Sequence, residues 1–245
     1  LWDRLSVSGL FDASTAMDAV ITSVRATDGL AHCRHRLEIL EDKDWVRSWM
    51  DSYQPMPMGQ RLWICPSWLQ PPDANAVNLV LDPGMAFGTG AHPTTSMCLQ
   101  WLDAATLTDK TVIDYGCGSG ILGIAALLLG AERVIAVDND PQALLATRDN
   151  AQRNNIAAER LETYLPDQVP ANSVGHTMLA NILAAPLITL APTLKAMTAA
   201  NGNLCLSGLL EHQIDAVCAP YRDDFSFADA AIESEWAQLS ARKNA

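Results

Sequence analysis

Basic residues are scarce in this chain: 16 lysines and arginines stand against 28 aspartates and glutamates, a formal net charge of −12. Direct binding to DNA or RNA draws on clustered Lys and Arg, so no direct nucleic-acid partner is expected. A surface of this sign favours a basic partner. Long apolar runs are also lacking. The longest, Ile121 to Leu129, is interrupted by Gly123 and falls well short of the ~20 residues of a membrane span. No membrane contact is expected. No basic segment leads into an apolar one at the start, so no secretory leader is expected. The chain opens on Leu1 rather than Met, which suggests that an N-terminal piece is missing. No C-x-x-C spacing occurs among the cysteines at 33, 65, 98, 117, 205 and 218. A disulfide framework is not expected in a chain with so ordinary a core; buried thiols in a cytoplasmic protein are.

What the chain does have is core material. Apolar residues make up 49% of the 245, which excludes a disordered chain. The length allows one large domain or two unequal ones. Residues 1–42 read as a small α+β unit. Leu5, Val7 and Gly9 suggest a short strand, and Met17, Val20, Ile21 and Val24 fall at helical spacing. Glu41 to Met50 reads as a helix with Trp45 and Trp49 on one side. The breaker cluster Gln54-Pro55-Met56-Pro57-Met58-Gly59 then closes a linker over 43–59. From residue 60 to 245 strands and helices alternate. Strands are expected at Arg61–Cys65, Ala76–Leu81, Thr111–Tyr115, Arg133–Val137, Leu161–Leu165, Thr177–Asn181 and Asn203–Ser207. Helices are expected at Pro93–Leu102, Ser119–Leu129, Pro141–Asn154 and Ala184–Thr198. Repeated βα units imply an α/β fold with a mostly parallel sheet covered on both faces. Two strand-like runs without a helix between them, Phe225–Glu233 and Trp236–Arg242, suggest an antiparallel hairpin at the sheet edge.

Three segments carry chemistry. In the first, Val112-Ile113-Asp114-Tyr115-Gly116-Cys117-Gly118-Ser119-Gly120, a strand runs through a glycine-rich turn into a helix. Glycine permits positive φ and close approach of a ligand to the main chain. Eighteen residues past Gly120, Asp138 ends the next strand, where a carboxylate can accept both hydroxyls of an adenosine ribose. Gly118, Gly120 and Gly123 spell G-x-G-x-x-G, a weak signal shared by dehydrogenases and methyltransferases. The preceding Asp114 and Gly116 extend it to D-x-G-x-G-x-G, which suits S-adenosylmethionine, a ligand with no pyrophosphate. The bland alternative is a glycine turn that is structural only. The second segment runs from Asp82 to Thr95. Its glycines make a loop able to close over a ligand; Phe87 could cover an adenine or sulfonium face, and Thr95 could meet the ligand's amino-acid end. The third, Leu179-Ala180-Asn181-Ile182, puts a polar group at a strand's carboxyl end, where ligands of such sheets sit. Asn181 could instead cap the helix that follows.

The segments DPGMAFGTGAHPTTSMCLQWL, VIDYGCGSGILGIAALLLGA, AVDNDPQAL and ANILAAPL resemble the bacterial ribosomal protein L11 methyltransferases, from about Leu10 to the tail Ala241-Arg242-Lys243-Asn244. The F-G-T-G-x-H-P-T-T loop is specific to that family; the glycine turn marks only its superfamily. The resemblance implies a class I (Rossmann-like) methyltransferase domain with a seven-stranded sheet, preceded by a linker and a small ferredoxin-like domain that recognises the substrate and here lacks its first elements. It implies that Thr95, Gly116, Asp138 and Asn181 bind S-adenosylmethionine, with Asp114, Gly118 and Phe87 beside them, and that the methyl acceptors are lysine side chains and the N-terminal amine of ribosomal protein L11.

The residues after Asn181 agree with an aliphatic amine. Enzymes that methylate planar amides or nucleobase amines commonly carry Asn/Asp-Pro-Pro-Tyr/Phe there, the aromatic stacking on the acceptor. Here the fourth residue is Ala184. Asn181 is then the residue expected to orient the acceptor. The alternatives are a methyltransferase acting on glutamine or a small molecule, a nicotinamide-dependent dehydrogenase, and a non-catalytic binding module. His92 reads as a loop anchor or a base. His32, Cys33 and His35 lack a wider cluster, so no metal is expected. Cys117 reads as filler rather than a nucleophile.

Overall fold

The computed structural model describes residues 7–39, 53–82 and 90–245. The chain divides into two units, Leu1–Ser52 and Tyr53–Ala245. In the first, the helical spacing forms α1, Met17–Ala26, with Asp18 in its first turn and Arg25 in its last, each favourable to the helix dipole. The strand expected around Val7 and Gly9 is not formed. Residues 7–12 have no regular structure, Val7 is 94% exposed, and no described residue of this unit offers a ladder to pair with. The run from Cys33 to Ile39 is irregular for the same reason. Leu5 and the helix expected at Glu41–Met50, with Trp45 and Trp49, lie outside the described residues.

Residues 53–59, the end of the expected linker, fall in the second unit. Within the breaker cluster, β1 (Met56–Pro57) pairs antiparallel with β2 (Leu62–Cys65). Pro57 is tolerated because this strand is the sheet's edge. β3 (Val77–Val80) runs parallel to β2 and completes a three-stranded sheet. The turn between β1 and β2 is held from below by Asp103, which accepts the backbone N–H of Gln60 at 2.6 Å and that of Arg61 at 3.2 Å.

The main sheet contains β4 (Thr111–Tyr115), β5 (Arg133–Val137), β6 (Leu161–Tyr164), β7 (Gly175–Asn181) and β8 (Thr198–Leu210), all parallel, and β11 (Trp236–Lys243), antiparallel to β8. Its order is β10-β11-β8-β7-β4-β5-β6, with β9 also on β11. The expected strand Phe225–Glu233 is broken into β9 (Phe225–Phe227) and β10 (Ala231–Glu233). Both lie in one lane. The register shifts by one between Phe227 opposite Ala241 and Ala231 opposite Gln238, which makes residues 228–230 a bulge. The sheet's eight strands, β9 included, therefore occupy seven lanes.

Helices cover both faces. α2 (Pro93–Ala104), α3 (Ile121–Leu128) and α4 (Pro141–Arg153) pack Leu99, Leu102, Ile124 and Leu144 against one side. α5 (Ala184–Thr189), α6 (Ala191–Met197) and α7 (Ile214–Cys218) pack Leu187, Leu194 and Val217 against the other. This double cover explains why β4 is buried at every residue. The single helix expected over Ala184–Thr198 is two. Pro192 has no N–H to offer Ile188, so the ladder breaks at Leu190 and Pro192 enters the first turn of a new helix. Among the described residues no helix is long and apolar enough to cross a membrane.

One side chain ties β3 to the end of α4. Asn154, which follows α4, accepts the Val80 N–H at 2.7 Å and donates to the Val80 carbonyl at 2.8 Å, acting as one further residue of strand beside β3. Asn154→Ala leaves both backbone groups short of a partner, and at about 1 kcal/mol per net hydrogen bond the expected loss is about 2 kcal/mol, read as a lower urea midpoint at unchanged m-value.

Candidate active site

The strand order runs outward from β4 through β5 to β6, then returns to β7 on β4's other side. That reversal opens a crevice at the carboxyl ends of β4 and β7, the place where open α/β sheets bind ligands. The three chemistry-bearing segments end there.

The glycine turn leaves β4 at Tyr115. Its first two amides continue the ladder past the strand end: the N–H groups of Gly116 and Cys117 donate to the Val137 carbonyl at 2.7 and 3.1 Å. Gly116 has φ +82, and a Cβ there would land on the Ile182 side chain. Only glycine lets the turn pass under the loop that carries Asn181. Asp138 closes the turn from β5. It accepts the Gly118 N–H at 2.9 Å through one oxygen and the Asp140 N–H at 3.0 Å through the other, and it stands half-buried at the crevice.

Asp114 sits beneath the turn and is 1% exposed. Its Oδ2 accepts the Gly123 N–H at 2.9 Å, while Oδ1 has no partner among the described residues. A Cβ at Gly123 would lie 2.9 Å from Val134 Cγ1 and 3.2 Å from that carboxylate. The third glycine of the G-x-G-x-x-G pattern thus makes room for Asp114. Burial pushes the Asp114 carboxyl up to about 7; the Gly123 N–H opposes the shift and the Asp138 charge adds to it.

Across the crevice, the Asn181 amide Nδ2 donates to Thr95 Oγ1 at 3.1 Å. This disposes of the capping alternative, because the N-cap of α5 is Leu183 and no side chain bonds to that end. Thr95, in the first turn of α2, is 1% exposed. His92 is the N-cap of that helix: its Nδ1 accepts the Thr94 N–H and lies 2.8 Å from Thr94 Oγ1. Its ring meets Trp236 edge-on, with centroids 5.0 Å apart. His92 therefore anchors the end of the loop through Nδ1, the anchoring alternative of the sequence reading. Phe87 and the rest of residues 83–89 lie outside the described residues.

Thr147 and Asn150 were not singled out in the sequence, yet they fix the glycine turn. Thr147 Oγ1 donates to the Gly118 carbonyl at 3.1 Å, and Asn150 Nδ2 to the Ser119 carbonyl at 2.9 Å. A signal was available: polar residues at 147, 150 and 154 share one face of α4 with the apolar Leu144 and Ala151. Thr147 Oγ1 is also 3.3 Å from Cys117 Sγ. Burial and the Asp114 charge push the Cys117 thiol far up, so it is not a nucleophile.

A mostly parallel sheet with one reversed strand next to its edge, a glycine turn after its middle strand and an acidic residue at the end of the next define a class I methyltransferase. Among solved structures, the ribosomal protein L11 methylase of Lactobacillus delbrueckii subsp. bulgaricus superposes with a TM-score of 0.70 at 28% identity, over 79% of this chain and 99% of that one. The tRNA m1G37 methyltransferase of M. jannaschii, at 15% identity and TM-score 0.53 over 61% of this chain and 47% of that one, shares the fold alone. The profile of the ribosomal protein L11 methyltransferase (PrmA) family matches residues 1–244. The ribosomal protein L11 methyltransferase of Escherichia coli O8 (strain IAI1) is 54% identical over 245 residues, all of this chain and 83% of that protein. The chain belongs to the ribosomal protein L11 methyltransferase family.

Asp114 gives this site a pH dependence. Its carboxyl is raised in the fold, so its stabilising contribution is complete below about pH 4 and is lost as the pH rises through about 7. Asp114→Asn, which keeps the acceptor for Gly123 and cannot ionise, is expected to flatten the fall in thermal midpoint between pH 5 and 8.5. An equally steep fall in the variant assigns the slope to other groups.

Proposed function

We propose that this chain transfers methyl groups from S-adenosylmethionine to lysine side-chain amines, and to the N-terminal amine, of ribosomal protein L11. The observation that carries the reading is the Asn181–Thr95 hydrogen bond facing the glycine turn across the crevice. With Nδ2 committed to Thr95, the acceptor Oδ1 is the atom left to receive a hydrogen bond from an incoming amine.

The residues fit the cofactor. Asp138 offers a carboxylate to a ribose diol beside the glycine turn whose Gly118 N–H it already accepts. Asp114 acts from beneath by holding the turn's backbone. In this reading Thr95 meets the cofactor's amino-acid end and Asn181 the methyl acceptor, a pairing that their mutual hydrogen bond supports. S-adenosylmethionine supplies an electrophilic methyl on a sulfonium that leaves as a neutral thioether. The chain's task is then positioning: the acceptor's lone pair must lie in line with the methyl–sulfur bond.

A lysine must first lose a proton, which with an ordinary pKa of ~10.4 costs roughly 4.6 kcal/mol at pH 7. Partial desolvation in the crevice and the nearby sulfonium charge lower that cost. Asn181 Oδ1 then orients the neutral amine, and the proton leaves to water. His92, committed at Nδ1 to α2, is not needed as a base. The net charge of −12 steers a lysine-rich protein toward the enzyme. The reaction belongs to the cytoplasm.

Asn181→Ala is expected to lower kcat on ribosomal protein L11 on the order of 100-fold, the scale of losing one preorganised polar contact to the reacting group. Affinity for S-adenosylhomocysteine by calorimetry should change far less. Full turnover at normal cofactor affinity would refute the orienting role.

A further inference from the structure

We infer that the chain holds a second small-ligand site, for phosphate or a phosphate monoester, at the end of the main sheet opposite the crevice. A cleft of about 190 Å³ lies where β4 and β7 begin, lined by Thr106, Lys110, His176, Asn201, Asn203 and Arg242 among others. The crevice lies past Tyr115 and Asn181, at the other ends of the same strands. At ~3.3 Å per residue, the five residues of β4 put the two sites about 15 Å apart.

The lining is one-sided in its chemistry. It contains a lysine, an arginine, a histidine and two asparagines, and no carboxylate. In a chain whose acids outnumber its bases 28 to 16, that composition runs against the average. Neighbouring cations are already engaged. Lys243 Nζ donates to the Lys195 and Thr198 carbonyls at 2.6 and 2.7 Å, and Lys195 pairs with Asp224 at 2.7 Å. Among the described residues, the side chains of Lys110 and Arg242 have no such partner. His176 Nδ1 accepts the Thr111 N–H at 3.1 Å, so the neutral ring carries its proton on Nε2 and is a donor there. Among the described residues, the lysine, the arginine and the ring Nε2 in the cleft can therefore all donate to an anion.

The walls are set before any ligand arrives. Asn201 is held at φ +57, and the buried Gly202 presses so closely on β7 that a Cβ would lie 3.1 Å from the His176 carbonyl and 2.8 Å from that of Ala199. The backbone of that wall is thereby fixed, while the His176 and Arg242 side chains stand exposed to meet a ligand. Size selects the ligand class. At about 190 Å³ the cleft is smaller than the ~300–1,000 Å³ pockets that enclose drug-sized ligands. It suits a tetrahedral oxyanion or the phosphate end of a small ester rather than a whole dinucleotide. Guanidinium and ammonium groups recognise that anion by charge-assisted hydrogen bonds.

The test is calorimetric titration of the full chain with inorganic phosphate and, separately, ribose 5-phosphate. Ionic strength is fixed with chloride, and the crevice is saturated with S-adenosylhomocysteine. Saturable 1:1 binding with millimolar or better Kd is expected, at least tenfold weaker in Lys110→Ala/Arg242→Ala with an unchanged far-UV circular dichroism spectrum. Tighter binding of the ester identifies a monoester site, and equal binding a free-anion site; both support the proposal. Should the double variant misfold, Arg242→Gln keeps a strand side chain of similar length and is expected to weaken binding about threefold. No binding by 50 mM ligand, or equal binding in the variants, overturns it. Failure of S-adenosylhomocysteine to bind leaves the phosphate readings interpretable and counts against the proposed function alone.

Discussion

The hydrogen bond from the Gly123 N–H to Asp114 is formed inside the interface between β4 and α3, and much of the site is arranged above it. It commits a carboxylate to a buried position, which is costly unless its oxygens are partnered, and it ties the first turn of α3 to the strand that precedes the glycine turn. Gly123 has no side chain because the carboxylate and Val134 occupy that space. With strand and helix joined at that spacing, the connecting turn must pass through positive φ at Gly116, Gly118 and Gly120. Asp138 then fastens the turn from the next strand, and Thr147 and Asn150 fasten it from α4. A backbone held at so many points presents its edge to the crevice without a further ordering cost, which is what a site that works by positioning requires.

The opposite wall is built from different material. Thr95 is placed by a capped helix start, Asn181 by the end of a buried parallel strand, and the two meet only because β7 lies next to β4 in the sheet. Their hydrogen bond spans residues far apart in the chain. It selects which end of the Asn181 amide bonds to Thr95, leaving Oδ1 uncommitted by that contact. The tight approach of Ile182 to Gly116 and Gly208 fixes the height of this wall over the glycine turn. The site is therefore specified by the sheet's order as much as by its residues.

Much of the fold was legible in the sequence where local pattern and burial agree. β4 and β5 stand at the expected residues, Thr111–Tyr115 and Arg133–Val137, since β-branched runs between turn signals leave little choice. α2 begins at Pro93 as read, because a first-turn proline marks a helix start. Failures occurred where context overrode pattern. Alternation at Val7 and Gly9 suggests a strand, but alternation supplies no partner. Helical spacing over Ala184–Thr198 is real, yet Pro192 interrupts the backbone ladder inside it. The run Phe225–Glu233 stays in a single lane but is bulged, which depends on the register of β11 rather than on its own residues.

The sequence by itself determined the class of cofactor chemistry. Spacing along the chain sets the geometry of a strand–turn–helix unit: Asp114, Gly116, Gly118 and Asp138 are bound to one another by short backbone paths. It also determined the acidic surface, since composition alone sets net charge. Only the tertiary structure decided that Asn181 bonds to Thr95 instead of capping α5 and that His92 anchors a helix. It alone decided that Asp114 lies under the turn with an oxygen that has no partner among the described residues. It alone gathered Lys110, His176 and Arg242 from three separate strand ends into one cleft. Each of these rests on contacts between segments brought together by sheet order, and local spacing carries no information about which distant strand becomes a neighbour.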